Sequence, residues 1–236
     1  MATRGRSGPR ASDRSGVKGC VGSESRTPGI ADQASAVVVA RRSSSCQLGG
    51  SVEVFVDEVG YALSLDERRR LLEANRAAAQ FFRRELLRTR STWPASYLDA
   101  RGLPHVLTVE SDWKVGYAPD TCSNLTDHLR AQGFDCGTLV KAGLVEWSDQ
   151  GDAVDRHRDR LMLVARDHRL SPVGFVGIDE TGRAQAATPA TAIHRPTNVL
   201  VGIEEQLDLL GRGAVPVVVE HPVDAIAVTK LSREMG

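Results

Sequence analysis

Three arginines, Arg156, Arg158 and Arg160, alternate through the charge run Val154–Arg160. In an extended chain successive side chains point to opposite faces, so this spacing puts three guanidinium groups on one side of a strand. Guanidinium forks match phosphate oxygens in charge and geometry, so the chemistry they suggest is phosphate binding. Asp155 and Asp159 are interleaved, and the competing reading is a solvated charge run. Glu220 is a second candidate. It ends the run Val215–Glu220, which reads as a strand, and ligand crevices in open α/β sheets lie outside the carboxyl ends of strands. The competing reading is a solvated glutamate capping that strand. Tyr97, Trp113 and Tyr117 are aromatic candidates for base stacking, although core packing is the better expectation for all three. No glycine-rich phosphate loop and no Ser-His-Asp arrangement stands out.

Several elements must position these residues. Leu71, Leu72, Asn75, Ala78, Ala79, Phe82 and Leu86 recur at helical spacing between Leu65 and Arg90, with Arg and Glu opposite, which predicts a long amphipathic helix. Ser64 followed three residues later by Glu67 is a capping-box pattern. A second helix is expected from Pro94 to Ala100, ended by Arg101-Gly102. A short strand then closes on Gly116-Tyr117-Ala118-Pro119. Asn124–Gln132 reads as a third helix stopped by Gly133, and Cys136–Ala142 as a short fourth. Leu161–Ala165 and Pro172–Gly177 read as the two strands of a hairpin turning at Asp167-His168-Arg169. Val223–Arg233 reads as a closing helix.

Composition sets the bounds. A chain of 236 residues with 41% hydrophobic content can build one or two packed domains. Its longest apolar runs are strand-sized, so no membrane span is expected. The N-terminus has no continuous apolar stretch of the kind a secretory signal needs. Four cysteines are too few for a disulfide scaffold, and a reducing cytoplasm is the expected location. Cys122 and Cys136 have no Cys or His partner at ligand spacing and are expected to be buried thiols. Net charge is zero but uneven: residues 1–50 hold eight Arg/Lys against three Asp/Glu, and the remainder is correspondingly acidic. The balance gives no independent support for nucleic-acid binding, which would need a local groove.

Several stretches together resemble bacterial replicative primases of the DnaG type. "YLDARGL" followed by "KVGYAP" is similar to the family's "YL..RGL" and "F.iGYAP". "LLEANRAAAQFF" resembles the segment that opens the primase core. Residues 154–178 follow the pattern "yDRfR.RimfPi.d..G.viGFggR". "VVVEHPVDAIAV" resembles the start of a TOPRIM domain, "vvVEGy.DvIal". Near the N-terminus, residues around Cys20 and Cys46 line up with the opening and close of the primase zinc ribbon, with Thr27-Pro28 and Gly49-Gly50 in register.

The resemblance implies RNA primer synthesis in DNA replication, a phosphoryl transfer in which metal ions and cationic side chains stabilise charge on phosphate oxygens. It implies Mg²⁺ near Glu220 and Asp224, with Glu220 at the metal and general acid/base centre. Arg156, Arg158 and Arg160 fall on family positions that contact nucleotide and DNA. The family's "GFggR" arginine reads Ile178 here, and the lysine of "KYlNspet" has no counterpart, since Lys is absent from Ala142 to Thr229; Arg195 falls near that place. In the ribbon, Ser23 and Ser43 stand where the family has zinc ligands, so Cys20 and Cys46 alone remain of four, and tight Zn²⁺ binding is not expected. His221 replaces the glycine that follows the TOPRIM glutamate.

The resulting expectation is an α/β chain. Residues 1–19 form a disordered tail and 20–62 a degenerate zinc-ribbon-like segment. Residues 63–211 form the N-terminal domain of a primase catalytic core with small mixed sheets, and 212–236 form a truncated first βα unit of a TOPRIM domain. Expected partners are single-stranded DNA template, nucleotides, a replicative helicase or a separately encoded TOPRIM half, with no membrane. The metal carboxylates borne by later TOPRIM strands do not occur before Gly236, so the chain is expected to make no primers alone. Two alternatives are a non-catalytic DNA-binding or interaction module derived from a primase, and one half of a split primase.

Overall fold

The computed structural model describes residues 36–40, 63–88 and 93–234. Cys20, Cys46, the tail 1–19 and all of the ribbon segment except 36–40 lie outside the described residues.

Helix α1 (Leu65–Arg88) is the spine. Its apolar stripe buries Leu71, Ala78, Phe82 and Leu86 as the periodicity requires, and Asn75 with them. Leu72 and Ala79 are only half-buried. Ser64 caps the helix by accepting from the Glu67 N–H at 3.1 Å. The expected capping box is only half formed, because the Glu67 carboxylate instead takes Lys141 at 2.5 Å.

Helix α2 (Trp93–Asp99) follows, and the chain turns off it through Gly102 at φ +69°, the left-handed conformation a glycine adopts without strain. Strand β2 (Gly116–Ala118) then crosses α1 at Gly116, so closely that a Cβ there would sit 2.5 Å from Phe82 Cβ. Helices α3 (Asn124–Ala131) and α4 (Cys136–Lys141) pack on α1. Strands β3 (Val145–Trp147) and β4 (Ala153–Asp155) pair as a short ribbon. The long hairpin β5 (Arg160–Arg166) and β6 (Pro172–Ile178) joins β2 and β7 (Ala184–Ala186) in a four-stranded sheet of order β2-β5-β6-β7. Every ladder described is antiparallel. β6, flanked by β5 and β7, is buried along its whole length, with α1 packed against it.

After a short helix α5 (Leu207–Gly211), strand β8 (Val215–Val219) and helix α6 (Pro222–Glu234) close the described chain. β8 pairs antiparallel with β1 (Ala36–Ala40). α6 buries Val223, Ala225 and Ile226. Three polar contacts tie it to the core: Lys230 Nζ donates to Gly102 O at 2.9 Å, Thr229 to the buried Gln206 at 3.1 Å, and His221 Nε2 to Gly182 O at 2.8 Å. Cys136 is a half-buried free thiol and Cys122 is disulfide-bonded, which corrects the expectation of two buried thiols. No helix among the described residues is long and apolar enough to cross a membrane.

Candidate nucleic-acid interface

The three alternating arginines do not lie on one strand. β4 ends at Asp155 and β5 begins at Arg160, so Arg156, Arg158 and the residues between them form a connection that passes from the β3–β4 ribbon to the main sheet. The alternation survives nonetheless. Asp155 and His157 are buried, while Arg156, Arg158 and Arg160 are half-exposed. Sheet pleating is not needed for this, because the inward residues are each held by a partner.

Asp155 is the first of these anchors. Its carboxylate accepts from the backbone N–H of Leu125 and Thr126, both at 2.8 Å, and from the Thr126 hydroxyl at 2.6 Å. It thereby satisfies N–H groups of the first turn of α3 that have no partner within the helix. Burial pushes its pKa up, against the pull of those three donors. His157 is the second. It is 4% exposed, set 6.1 Å from the Phe82 ring and 5.9 Å from the Phe175 ring. Burial, with Arg156 and Arg160 close by, holds its pKa down to about 3, so the imidazole is neutral at physiological pH. Its Nε2 has no hydrogen-bond partner. Asp159 is the third: one carboxylate oxygen accepts from Trp93 Nε1 at 2.6 Å and from the Tyr117 hydroxyl at 2.8 Å.

Each outward arginine has its own setting. Arg156 pairs with Glu146 across the ribbon at 3.1 Å. Arg158 makes no hydrogen bond or ion pair among the described residues. Arg160 lays its aliphatic stem over Gly177, where a Cβ would come within 3.1 Å of its Cδ, and reaches Asp179 at 3.4 Å in an ion pair outside hydrogen-bond geometry. Burial alone would raise the Asp179 pKa; Thr181, the Arg183 N–H and Arg160 outweigh it and hold the carboxyl low.

Beyond Asp179 the surface continues onto α2 and α6. Arg101 stacks on the Tyr97 ring, its guanidinium carbon 3.6 Å from the centroid. Tyr97 lies close enough to Asp224 and Asp179 for both to raise its pKa, after burial, which raises it most. His221 docks on the β6–β7 turn at Gly182. The start of α6, with Asp224 in its first turn, is therefore brought alongside the Arg160–Asp179 pair. Glu220 and Asp224 are both exposed, and Glu220 sits just past the end of β8 rather than in it.

Mg²⁺ takes oxygen ligands in near-octahedral geometry and is held through one or two carboxylates plus substrate phosphates. Glu220 and Asp224 could supply part of such a set. Among the described residues no group of three His, Cys, Asp or Glu side chains converges to hold an ion, so the residues present do not by themselves make a metal site. Arg195 directly precedes the turn Pro196–Asn198, and its neighbour His194 is close enough to His157 in the arginine loop to lower that ring's pKa. Ile178, in the place of the family's arginine, is fully buried opposite Leu161 and presents no polar group.

Trp113, Tyr117 and Tyr97 are core residues, as expected, at 3%, 6% and 8% exposure. Trp147, at 56%, is the exposed aromatic that the sequence reading did not single out. Sequence reasoning also missed the anchors Asp155, His157, Asp159 and Trp93. The signal was there in part, since three arginines facing out leave the residues between them facing in.

Residues 81–206, just over half of the chain, match the family model of the DNA primase catalytic core, N-terminal domain. The chain belongs to the bacterial DnaG-type DNA primase family. It is 36% identical over 164 residues to the DNA primase of Deinococcus radiodurans, covering 68% of this chain and 28% of that protein. With the DNA primase of Mycolicibacterium smegmatis the identity is 31% over 196 residues, covering 75% and 30%. The fold is similar to a DnaG primase catalytic domain bound to single-stranded DNA, at 26% identity and TM-score 0.53, covering 61% of this chain and 47% of that one. It is also similar to the RNA polymerase domain of Mycobacterium tuberculosis primase DnaG in complex with double-stranded DNA, at 29% identity and TM-score 0.50, covering 56% and 42%. The chain thus spans under a third of the length of these two curated primases. The primase match contains the whole arginine loop and all three of its anchors.

Proposed function

We propose that this primase-family chain acts in RNA priming of DNA replication, and that its own part is to hold the phosphates of single-stranded template and nucleoside triphosphate. The observation that carries this reading is the connection 155–160, which buries Asp155 and His157 and leaves Arg156, Arg158 and Arg160 half-exposed. The backbone that carries the arginines is fixed by Asp155 and His157, so little of the binding free energy is lost to ordering the loop.

On this reading residues 63–211 are the N-terminal domain of the catalytic core, and 212–236 begin a TOPRIM domain. The docking of α6 by His221, Thr229 and Lys230 supports that order, because His221 meets the β6–β7 turn at Gly182 and Asp224 lies close enough to Tyr97 to raise its pKa, as does Asp179, the partner of Arg160. Glu220 is the general acid/base candidate. The metal carboxylates needed to complete the chemistry come from outside the described residues, and primer synthesis requires them. A replicative helicase and a cytoplasmic setting go with the family role.

The test is binding of a fluorescent single-stranded oligonucleotide followed by anisotropy over a range of salt. Each phosphate contact to a single strand contributes about 0.7 to the slope of log K against log [salt]. Arg156→Ala, Arg158→Ala and Arg160→Ala should each weaken binding and lower that slope. A parent chain that does not bind, or three variants that bind as the parent does, overturns the reading.

A further inference from the structure

We propose that Asp159 is a positioning residue, which fixes the loop so that the neighbouring Arg158 faces the phosphate strand; the inference rests on the proposed phosphate-binding face. Asp159 sits at φ +46°, in the left-handed region that Asp tolerates better than most residues with a Cβ, provided its side chain is hydrogen-bonded. Something must hold it there, and the side chain shows what. One carboxylate oxygen takes two donors from two different elements, Trp93 Nε1 at the start of α2 and the Tyr117 hydroxyl on β2. Those donors are themselves fixed. The Trp93 ring meets the Tyr97 ring edge-on at 5.8 Å and the Tyr117 ring at 6.4 Å.

The left-handed residue lies directly after Arg158 and directly before β5, at the point where the chain must turn into the sheet. His157, on the other side of Arg158, is locked between Phe82 and Phe175. Arg158 is therefore held from both neighbours while its own guanidinium makes no bond among the described residues. A cation with fixed backbone and unspent donors is what a phosphate oxygen needs.

The experiment compares Asp159→Ala, Asp159→Gly, Asp159→Asn, Arg158→Ala and the double variant Asp159→Gly/Arg158→Ala in the full chain. Affinity for a single-stranded oligonucleotide and its salt slope are read together with thermal stability. Asp159→Gly relieves the backbone strain while removing both bonds, so a loss in that variant reports the bonds. Asp159→Asn keeps an amide oxygen to accept from Trp93 and Tyr117, so binding should be restored to within about twofold. The Ala and Gly variants should weaken binding about tenfold, the size of one charge-assisted hydrogen bond, and should lower the salt slope by about 0.7, as Arg158→Ala does. The double variant should bind no more weakly than Arg158→Ala, because coupled residues lose one contact between them. Additive losses, or weaker binding with an unchanged salt slope, would mean a general structural defect and would overturn the inference. If Arg158→Ala weakens binding and the Asp159 variants do not, the positioning role alone is overturned. If Arg158→Ala also binds as the parent does, the phosphate-binding role of Arg158 falls with it.

Discussion

His157 makes stability depend on pH in a way that can be worked out from its surroundings. Free imidazole takes up a proton near pH 6.5, whereas the buried ring resists until about pH 3. As pH falls through that window the unfolded chain binds the proton and the folded chain does not, so folding stability is lost. With these two values the loss between pH 7 and pH 5 is about 2 kcal/mol, a large share of the 5–15 kcal/mol typical of a domain. His157→Phe removes the titrating group and leaves an aromatic ring between Phe82 and Phe175. It also removes the unpartnered Nε2, so the variant should be at least as stable as the parent at pH 7. Urea unfolding followed by tryptophan fluorescence at pH 7 and pH 5 gives both numbers. Other titrating groups, including the buried His194, are common to the two proteins, so the difference between the pH slopes isolates residue 157. Equal losses in parent and variant, to within about 0.5 kcal/mol, would refute the account of a neutral buried imidazole.

Two further outcomes test the packing. Gly116→Ala places a Cβ 2.5 Å from Phe82 Cβ and 2.7 Å from the Phe82 carbonyl carbon, where a helix backbone cannot give way. A loss of several kcal/mol or insoluble expression is expected, and a cooperative transition within about 2 °C of the parent would refute the close crossing of α1 and β2. Leu170 stands at φ +61° in the β5–β6 turn, where the primase pattern carries glycine. Leu170→Gly should raise stability by about 1 kcal/mol, the left-handed penalty less the added freedom of the unfolded chain, and unchanged or lower stability in denaturant titration would refute it.

The elements were legible because their signals are local. The α1 stripe, the Arg101-Gly102 stop, the helix before Gly133 and the β5–β6 hairpin each follow from spacing and turn chemistry within a few residues, and each lies within two residues of its expected place. The family was legible for the same reason, as motifs are contiguous. The capping box failed because Glu67 had a distant competitor in Lys141, and sequence distance conceals such competition. Tyr97, Trp113 and Tyr117 pack in the core as expected, because other elements cover their rings. Trp147 was missed for the converse reason: the β3–β4 ribbon leaves its ring uncovered.

By itself, the sequence determined that three guanidinium groups share one side of the chain, that their neighbours face the other way, and that a strand and helix follow late in the chain. The alternating residue types are local, but the connection is no regular strand, since Asp159 stands at φ +46°, and the facing of its side chains is held by the contacts they make. Only the tertiary structure decided what the inward side meets. Asp155 meets the first turn of α3, His157 meets two phenylalanines, and Asp159 meets Trp93 and Tyr117. Those partners come from segments up to 75 residues away, as with Phe82 and His157. Their meeting depends on the packing of α1 against the sheet, because hydrogen bonds and ring contacts act over a few ångströms of space and carry no record of separation along the chain.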